Sequence, residues 1–221
     1  MNVNIFEAIN SVTFDKTLLQ LALNDCGCNL AVDGIIGSKT IKCAKKVKAS
    51  KFGIALNRWL KVVDGLEFCW IKEAFNEIGT KEIAGIDSNH KIEEYHDYAH
   101  IGWAKDDVPW CGSFMAYVFT KCGYDIPYAP YRALSWLNFG REVYEPLYGS
   151  IAIKKRRGGG HVTIVIGSFG NWVYCLGGNQ SDKVCIRRYK DDDFISYRLP
   201  NDVESKIILK DMNVKRNNKE R

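Results

Sequence analysis

The sequence predicts an α+β protein in which helices pack on a small antiparallel sheet, preceded by a small all-α domain. Three observations predict it. Apolar residues recur at helical spacing as far as Gly123, and from Ser150 onward the pattern changes to short alternating runs typical of strands. Helices first and antiparallel strands after them is an α+β layout. Charge also divides the chain: residues 1–63 carry nine Lys and Arg against four acids, whereas the rest balances at 22 of each sign. The expected organisation is a helical domain over 1–63, a larger domain over 66–200, and a charged tail over 201–221. A chain of 221 residues, 46% hydrophobic and 26% charged, has enough apolar material for both cores.

In the first domain, KTLLQLALNDCGCNL sets Leu18, Leu19, Ala22 and Leu23 on one helical stripe that stops at Gly27. AVDGIIGSKT is a turn cluster, and Ser38 or Thr40 is placed to cap the basic helix after it. A composition shift near Asp64 and Gly65 marks the boundary. In the second domain, EFCWIKEAFNEIG predicts a helix with Phe68, Ile71, Phe75 and Ile78 on one face, ended by Gly79. Asn89 caps HKIEEYHDYAH, whose buried stripe is Ile92, Tyr95 and Ala99. VPWCGSFMAYVFTKCG follows, with Phe114, Met115, Val118, Phe119 and Cys122 on its stripe and Gly123 as its stop. After a helical turn around 133–139 come four strands, at 150–154, 161–166, 172–176 and 184–189, with a tight hairpin at 168–171.

No apolar run reaches the roughly 18 residues a membrane span requires. MNVNIFEAIN lacks the basic and apolar regions of a signal peptide, so synthesis in the cytoplasm is expected. The basic first domain points to an anionic partner, either a wall polymer or a membrane surface, or it is simply a solvated helix face. No nucleic-acid-reading motif accompanies it, and nucleic acid is not expected as a partner. Eight cysteines without a secretion signal are expected to be mostly reduced. Cys69, Cys122, Cys175 and Cys185 read as small core residues, and the Cys26, Cys28 and Cys43 spacing matches no common zinc site. His96 and His100 lie four apart on a predicted helix near His90 but lack the His-Glu-x-x-His pattern, so they read as exposed helix histidines and no metal or cofactor is expected.

Cys111 has a different setting, at the start of an amphipathic helix just after Pro109 and Trp110. Unpaired N–H groups at a helix start favour thiolate over thiol and can stabilise an oxyanion. A thiolate hydrolase also needs a base. His161 follows three glycines and opens the strand HVTIVIG at a sheet rim, on the same face as Thr163 and Val165. A third group should orient the imidazole. Asn179, after Gly177 and Gly178, is the first candidate, with Gln180 and Asp182 as rivals. Trp110, beside the nucleophile, is a candidate substrate-binding residue. Taken singly, each has an ordinary reading: a core cysteine, a surface histidine, a turn asparagine, a core tryptophan.

The blocks EIGTKEIAGIDSNHKIEEYH, DDVPWCGSF, RALSWLNFG, YGSIAI, GGGHVTIVIG and CLGGNQSDKVCIRRY resemble the NlpC- and CHAP-type cell-wall cysteine hydrolases, in particular a phage-associated branch of that papain-like superfamily. The likeness runs from about Ile71 to Arg198. It implies a papain-like domain in which Cys111 is the nucleophile, His161 the general base and then acid, and Asn179 the orienting residue. It also implies attack on a peptidoglycan amide, with a stem-peptide endopeptidase favoured over an N-acetylmuramoyl-L-alanine amidase. The segment LLQLALNDCGCNLAVDGIIGSKTIKCAKKV is similar to a helical peptidoglycan-binding module of phage lysins and would hold the enzyme on the wall. The resemblance implies a monomeric lysin released from the host cytoplasm by a holin. A secreted antibacterial effector, or a wall-binding protein without catalysis, fits the same features. Lys154, Lys155, Arg156 and Arg157 before His161 depart from the mostly neutral pattern and read as a solvated loop.

Overall fold

A computed structural model describes residues 5–11, 16–64, 68–85 and 87–203. Gly65, on the expected boundary, and most of the expected tail (204–221) lie outside the described residues. The leucine stripe folds as expected. After α1 (Ile5–Asn10), α2 (Lys16–Asp25) buries Leu18, Leu19, Leu21, Ala22 and Leu23. The basic helix expected to run to Lys48 ends at Ala44 as α3 (Ser38–Ala44), and after a turn at Lys45–Lys48 a further helix, α4 (Ala49–Asp64), follows that the periodicity does not predict. Gly37 occupies the N-cap of α3 and no side chain caps it, so neither Ser38 nor Thr40 plays that part.

Gln20 organises the turn after α2. Its Nε2 donates to Asp33 Oδ1 and to the Ile35 carbonyl, both at 2.9 Å, and its Oε1 accepts from the N–H groups of Asp33 and Gly34. All four hydrogen-bonding positions serve buried or half-buried groups that would otherwise be costly to leave unpaired. The turn thereby held meets the second part of the chain, where Lys183 Nζ lies 2.8 Å from Asp33 Oδ2 and Val32 bridges Ile186.

In the second part, α5 (Cys69–Asn76) buries Trp70, Ile71 and Ala74, so its buried face is turned from the expected stripe and Phe75 is only half-buried. Helix α6 (His90–Tyr98) is capped as predicted, with Asn89 Oδ1 accepting from the Lys91 N–H. Helix α7 (Cys111–Lys121) buries every residue from Cys111 to Phe119 and stops before Gly123, whose φ of 78° suits glycine. A 3-10 turn follows at Ala133–Asn138.

The four predicted strands are present, as β2 (Ile151–Arg156), β3 (Gly159–Phe169), β4 (Trp172–Gly177) and β5 (Cys185–Lys190). Two short strands, β1 (Arg141–Val143) and β6 (Ser196–Leu199), complete a six-stranded antiparallel sheet among the described residues, in the order β1-β6-β2-β3-β4-β5. Lys154, Lys155 and Arg156 belong to β2 rather than to a loop. Both faces of β3 are covered from His161 to Ile166, so its alternation does not separate a wet face from a dry one. The α+β architecture, with a helical N-terminal part, is the one the periodicity predicts. No described helix is long and apolar enough to cross a membrane.

Two pairs of cysteines are disulfides, contrary to the expectation of reduced thiols. Cys28–Cys43 ties the segment after α2 to α3, and Cys69–Cys122 ties the start of α5 to the end of α7. Packing brings their Cα atoms to 6.1 and 5.8 Å, within bridging range. Cys26, Cys111, Cys175 and Cys185 are unbridged.

Candidate active site

Cys111 is the first residue of α7 and Trp110 its N-cap, with Pro109 just outside the helix. The start of α7 is fixed from three sides. Gly112 lies so close to the chain at Pro130–Tyr131 that a Cβ there would sit 2.4 Å from the Tyr131 carbonyl oxygen. Gly178, just beyond β4, meets Trp110 and Phe114 equally tightly. His96 reaches across from α6, its Nδ1 2.9 Å from Ser113 Oγ and its Nε2 3.1 Å from the Lys105 carbonyl.

His96 thus corrects the sequence reading. It is fully buried, not an exposed helix histidine, and burial holds its pKa down. Its sequence signal was its place four residues after Ile92, beside the buried stripe. His90 and His100 are exposed, and His100 leaves the helix with a φ of 62°. No cluster of metal-ligating side chains occurs among the described residues.

The thiol of Cys111, 7% exposed, lies against the backbone N–H of Val162, the residue after His161. Nucleophile and base candidates are therefore brought to the same stretch of β3, although no hydrogen bond joins them in this structure. Burial pushes the Cys111 thiol up, while the N–H groups of Val162, Gly112 and Cys111 itself, together with the Arg156 charge, oppose it. The helix-start amides act in the expected direction, but desolvation outweighs them and the resting group is a thiol. His161, fully buried, is pushed down to about 3 by burial and then by the nearby Arg156 charge. It is a neutral imidazole at neutral pH, not a surface histidine at a rim.

The partner of that imidazole is Gln180 and not Asn179. Gln180 Nε2 donates to the carbonyls of Cys175 (3.3 Å), Gly177 (3.2 Å) and Cys185, which turns its Oε1 toward His161 Nε2 at 3.4 Å and the Tyr189 hydroxyl at 2.7 Å. Asn179 takes the left-handed conformation, with a φ of 53°, as do Ser181 and Asp182. That turn geometry points the second residue after Gly178, not the first, back under β3. Because Gln180 offers an acceptor, His161 Nε2 carries the proton. Its Nδ1 is then a bare acceptor, and it is a buried atom without a hydrogen-bond partner. An unpartnered buried nitrogen costs stability, and such atoms call for an explanation in function. Here the tautomer leaves a free lone pair to take a proton.

Trp110 is also corrected. Its ring is wholly buried, packs against Tyr95 and donates from Nε1 to Glu82 Oε1 at 2.8 Å. It supports the start of α7 from behind and presents no surface to a ligand. Burial, with Asp182, Asp106 and Asp107 nearby, raises the Glu82 carboxyl above its usual range despite that hydrogen bond. Lys154 pairs with His161 across the β2–β3 ladder, but its ammonium lies over the Tyr189 ring at 4.9 Å and 3.4 Å from Asp193, so it is engaged rather than solvated.

Chemically, the arrangement offers a thiol among helix-start amides, a base of defined tautomer and an amide that fixes that base. Neither a family model nor a curated protein nor a solved structure matches the chain, so what is established is a two-part α+β architecture.

Proposed function

We propose that the protein is a cysteine peptidoglycan hydrolase, cutting a stem-peptide amide bond with Cys111 as nucleophile and His161 as base. One observation carries the reading. Cys111 heads a helix against the peptide that follows His161, and Gln180 fixes His161 in the tautomer whose Nδ1 is free to accept a proton. In this account the thiol proton passes to Nδ1 and sulfur attacks the amide carbonyl. The N–H groups of Cys111 and Gly112 hold the oxyanion, His161 protonates the leaving amine, and water releases the acyl group. Gln180 replaces Asn179 as the orienting residue. Shielding of the dry thiol and imidazole must loosen when substrate enters, since both rest neutral.

Peptidoglycan as substrate rests on the resemblance of the blocks around Cys111, His161 and Asn179 to NlpC- and CHAP-type hydrolases. The six exposed lysines of residues 39–51 (Lys39, Lys42, Lys45, Lys46, Lys48 and Lys51) suit an anionic wall polymer. The disulfides suit action outside a reducing compartment, as in a released lysin or a secreted antibacterial effector. The test is mass spectrometry of fragments released from purified sacculi. New termini within stem peptides are expected. Intact stem peptides freed from bare glycan would identify an N-acetylmuramoyl-L-alanine amidase instead, and binding without any release would identify a wall-binding protein.

A further inference from the structure

A cavity of about 310 Å³ lies between the helical part and the sheet, remote from Cys111 and His161. Its floor is one face of the sheet. Trp172 and Tyr174 lie two apart on β4, and Arg188 is opposite Tyr174 on β5, so all three project to the same side. Its wall is the end of α2 and the segment 28–32, contributing Asp25 and Asn29. Two ties hold that wall in place, the Cys28–Cys43 disulfide and the Asp33–Lys183 ion pair. The cavity is therefore preformed, as small-ligand sites usually are.

The lining is amphipathic in a particular way. Two half-buried aromatic rings supply flat apolar faces, and the Arg188 guanidinium stands 4.6 Å from the centre of the Trp172 ring. Asp25 is buried at the other side, close enough for its charge to raise the Tyr174 phenol along with burial. Flat rings match the C–H faces of pyranoses, and a guanidinium, a carboxylate and an amide match their hydroxyl and acetamido groups. A simple anion would have no use for the rings.

We propose that this groove is a saccharide subsite that binds the amino-sugar strand of the wall polymer, apart from the cleavage site. This rests on the reading of the protein as a peptidoglycan hydrolase. Trp172 and Gly177, at the two ends of β4, are about 17 Å apart at the usual strand rise. Glycan held at the hairpin end of β4 thus leaves a stem peptide free to reach Cys111 beyond the other end.

The experiment is calorimetric titration of the full chain with tetra-N-acetylchitotetraose, which needs no catalysis. Saturable binding is expected for the native protein and for Cys111→Ala. Trp172→Ala and Tyr174→Ala should weaken it at least about tenfold, which is about 1.4 kcal/mol. Tyr128→Ala, on an exposed residue outside the groove, should leave it unchanged. Arg188→Ala leaves the core intact and serves as a third groove variant if either aromatic change impairs folding. No saturable binding by the native protein, or equal binding by the groove variants, overturns the subsite. Saccharide binding by a protein that releases nothing from sacculi keeps the subsite and overturns the hydrolase reading.

Discussion

Gln180 anchors its amide nitrogen on backbone carbonyls and gives its oxygen to His161 and Tyr189. Gln180→Ala is therefore expected to lower kcat on sacculi by about ten- to a hundredfold, the scale seen when partners that orient functional histidines are removed, with little change in KM. Asn179→Ala should stay within about twofold of native, a contrast that steady-state kinetics reads directly. His161 makes a second prediction through linkage. Its folded pKa of about 3 lies below its ordinary 6.5, so the unfolded chain binds the extra proton first as pH falls. Stability is then lost between about pH 6.5 and 3, by up to about 1.4 kcal/mol per pH unit from this group alone. Urea titrations across that range should show a shallower loss for His161→Gln, with the His96 contribution remaining in both proteins. At this scale the sequence was partly legible. The places of Cys111 at the start of α7 and of His161 near the start of β3 were readable because a helix start and a strand start are local patterns. Gln180 was open only as a rival, because the three left-handed residues around it decide which side chain turns inward, and no periodicity encodes that.

The start of α7 is positioned by close approach more than by a cap. Gly112 has the Pro130 and Tyr131 carbonyl oxygens where a Cβ would be, at 2.5 and 2.4 Å, and these are backbone atoms that cannot swing away. Gly112→Ala should cost roughly 1–3 kcal/mol of stability and displace Cys111 from the Val162 N–H, lowering activity more than stability loss explains. Thr120→Ala, on the exposed side of the same helix, should change stability by less than about 0.5 kcal/mol and leave activity intact. Thermal melts paired with rate measurements distinguish the two. The long elements were legible because their apolar periods are long: α2, α6, α7 and β2–β5 all sit close to where the spacing puts them. The short strands Arg141–Val143 and Ser196–Leu199 were not, since three or four residues carry no readable alternation and exist as strands through pairing with each other and with β2. Helix α4 (Ala49–Asp64) was not legible either, and neither glycine nor proline marks the turn at Lys45–Lys48 that separates it from α3.

Across the whole molecule, the helical part is joined to the sheet by Asp33–Lys183 and the Val32–Ile186 bridge, and two disulfides brace the helices on either side of that junction. The disulfides were not legible, because separations of 15 and 53 residues say nothing of which thiols packing will bring together. The general architecture was legible from the change of period along the chain. The central claim concerns one sulfur atom, and its most direct test is clearing of purified sacculi by the native protein and by Cys111→Ala, with pelleting measured alongside. The account predicts that Cys111→Ala pellets with sacculi as the native protein does while its clearing rate falls by at least about 10³-fold, the scale of removing a catalytic nucleophile. Clearing by Cys111→Ala at the native rate would contradict it.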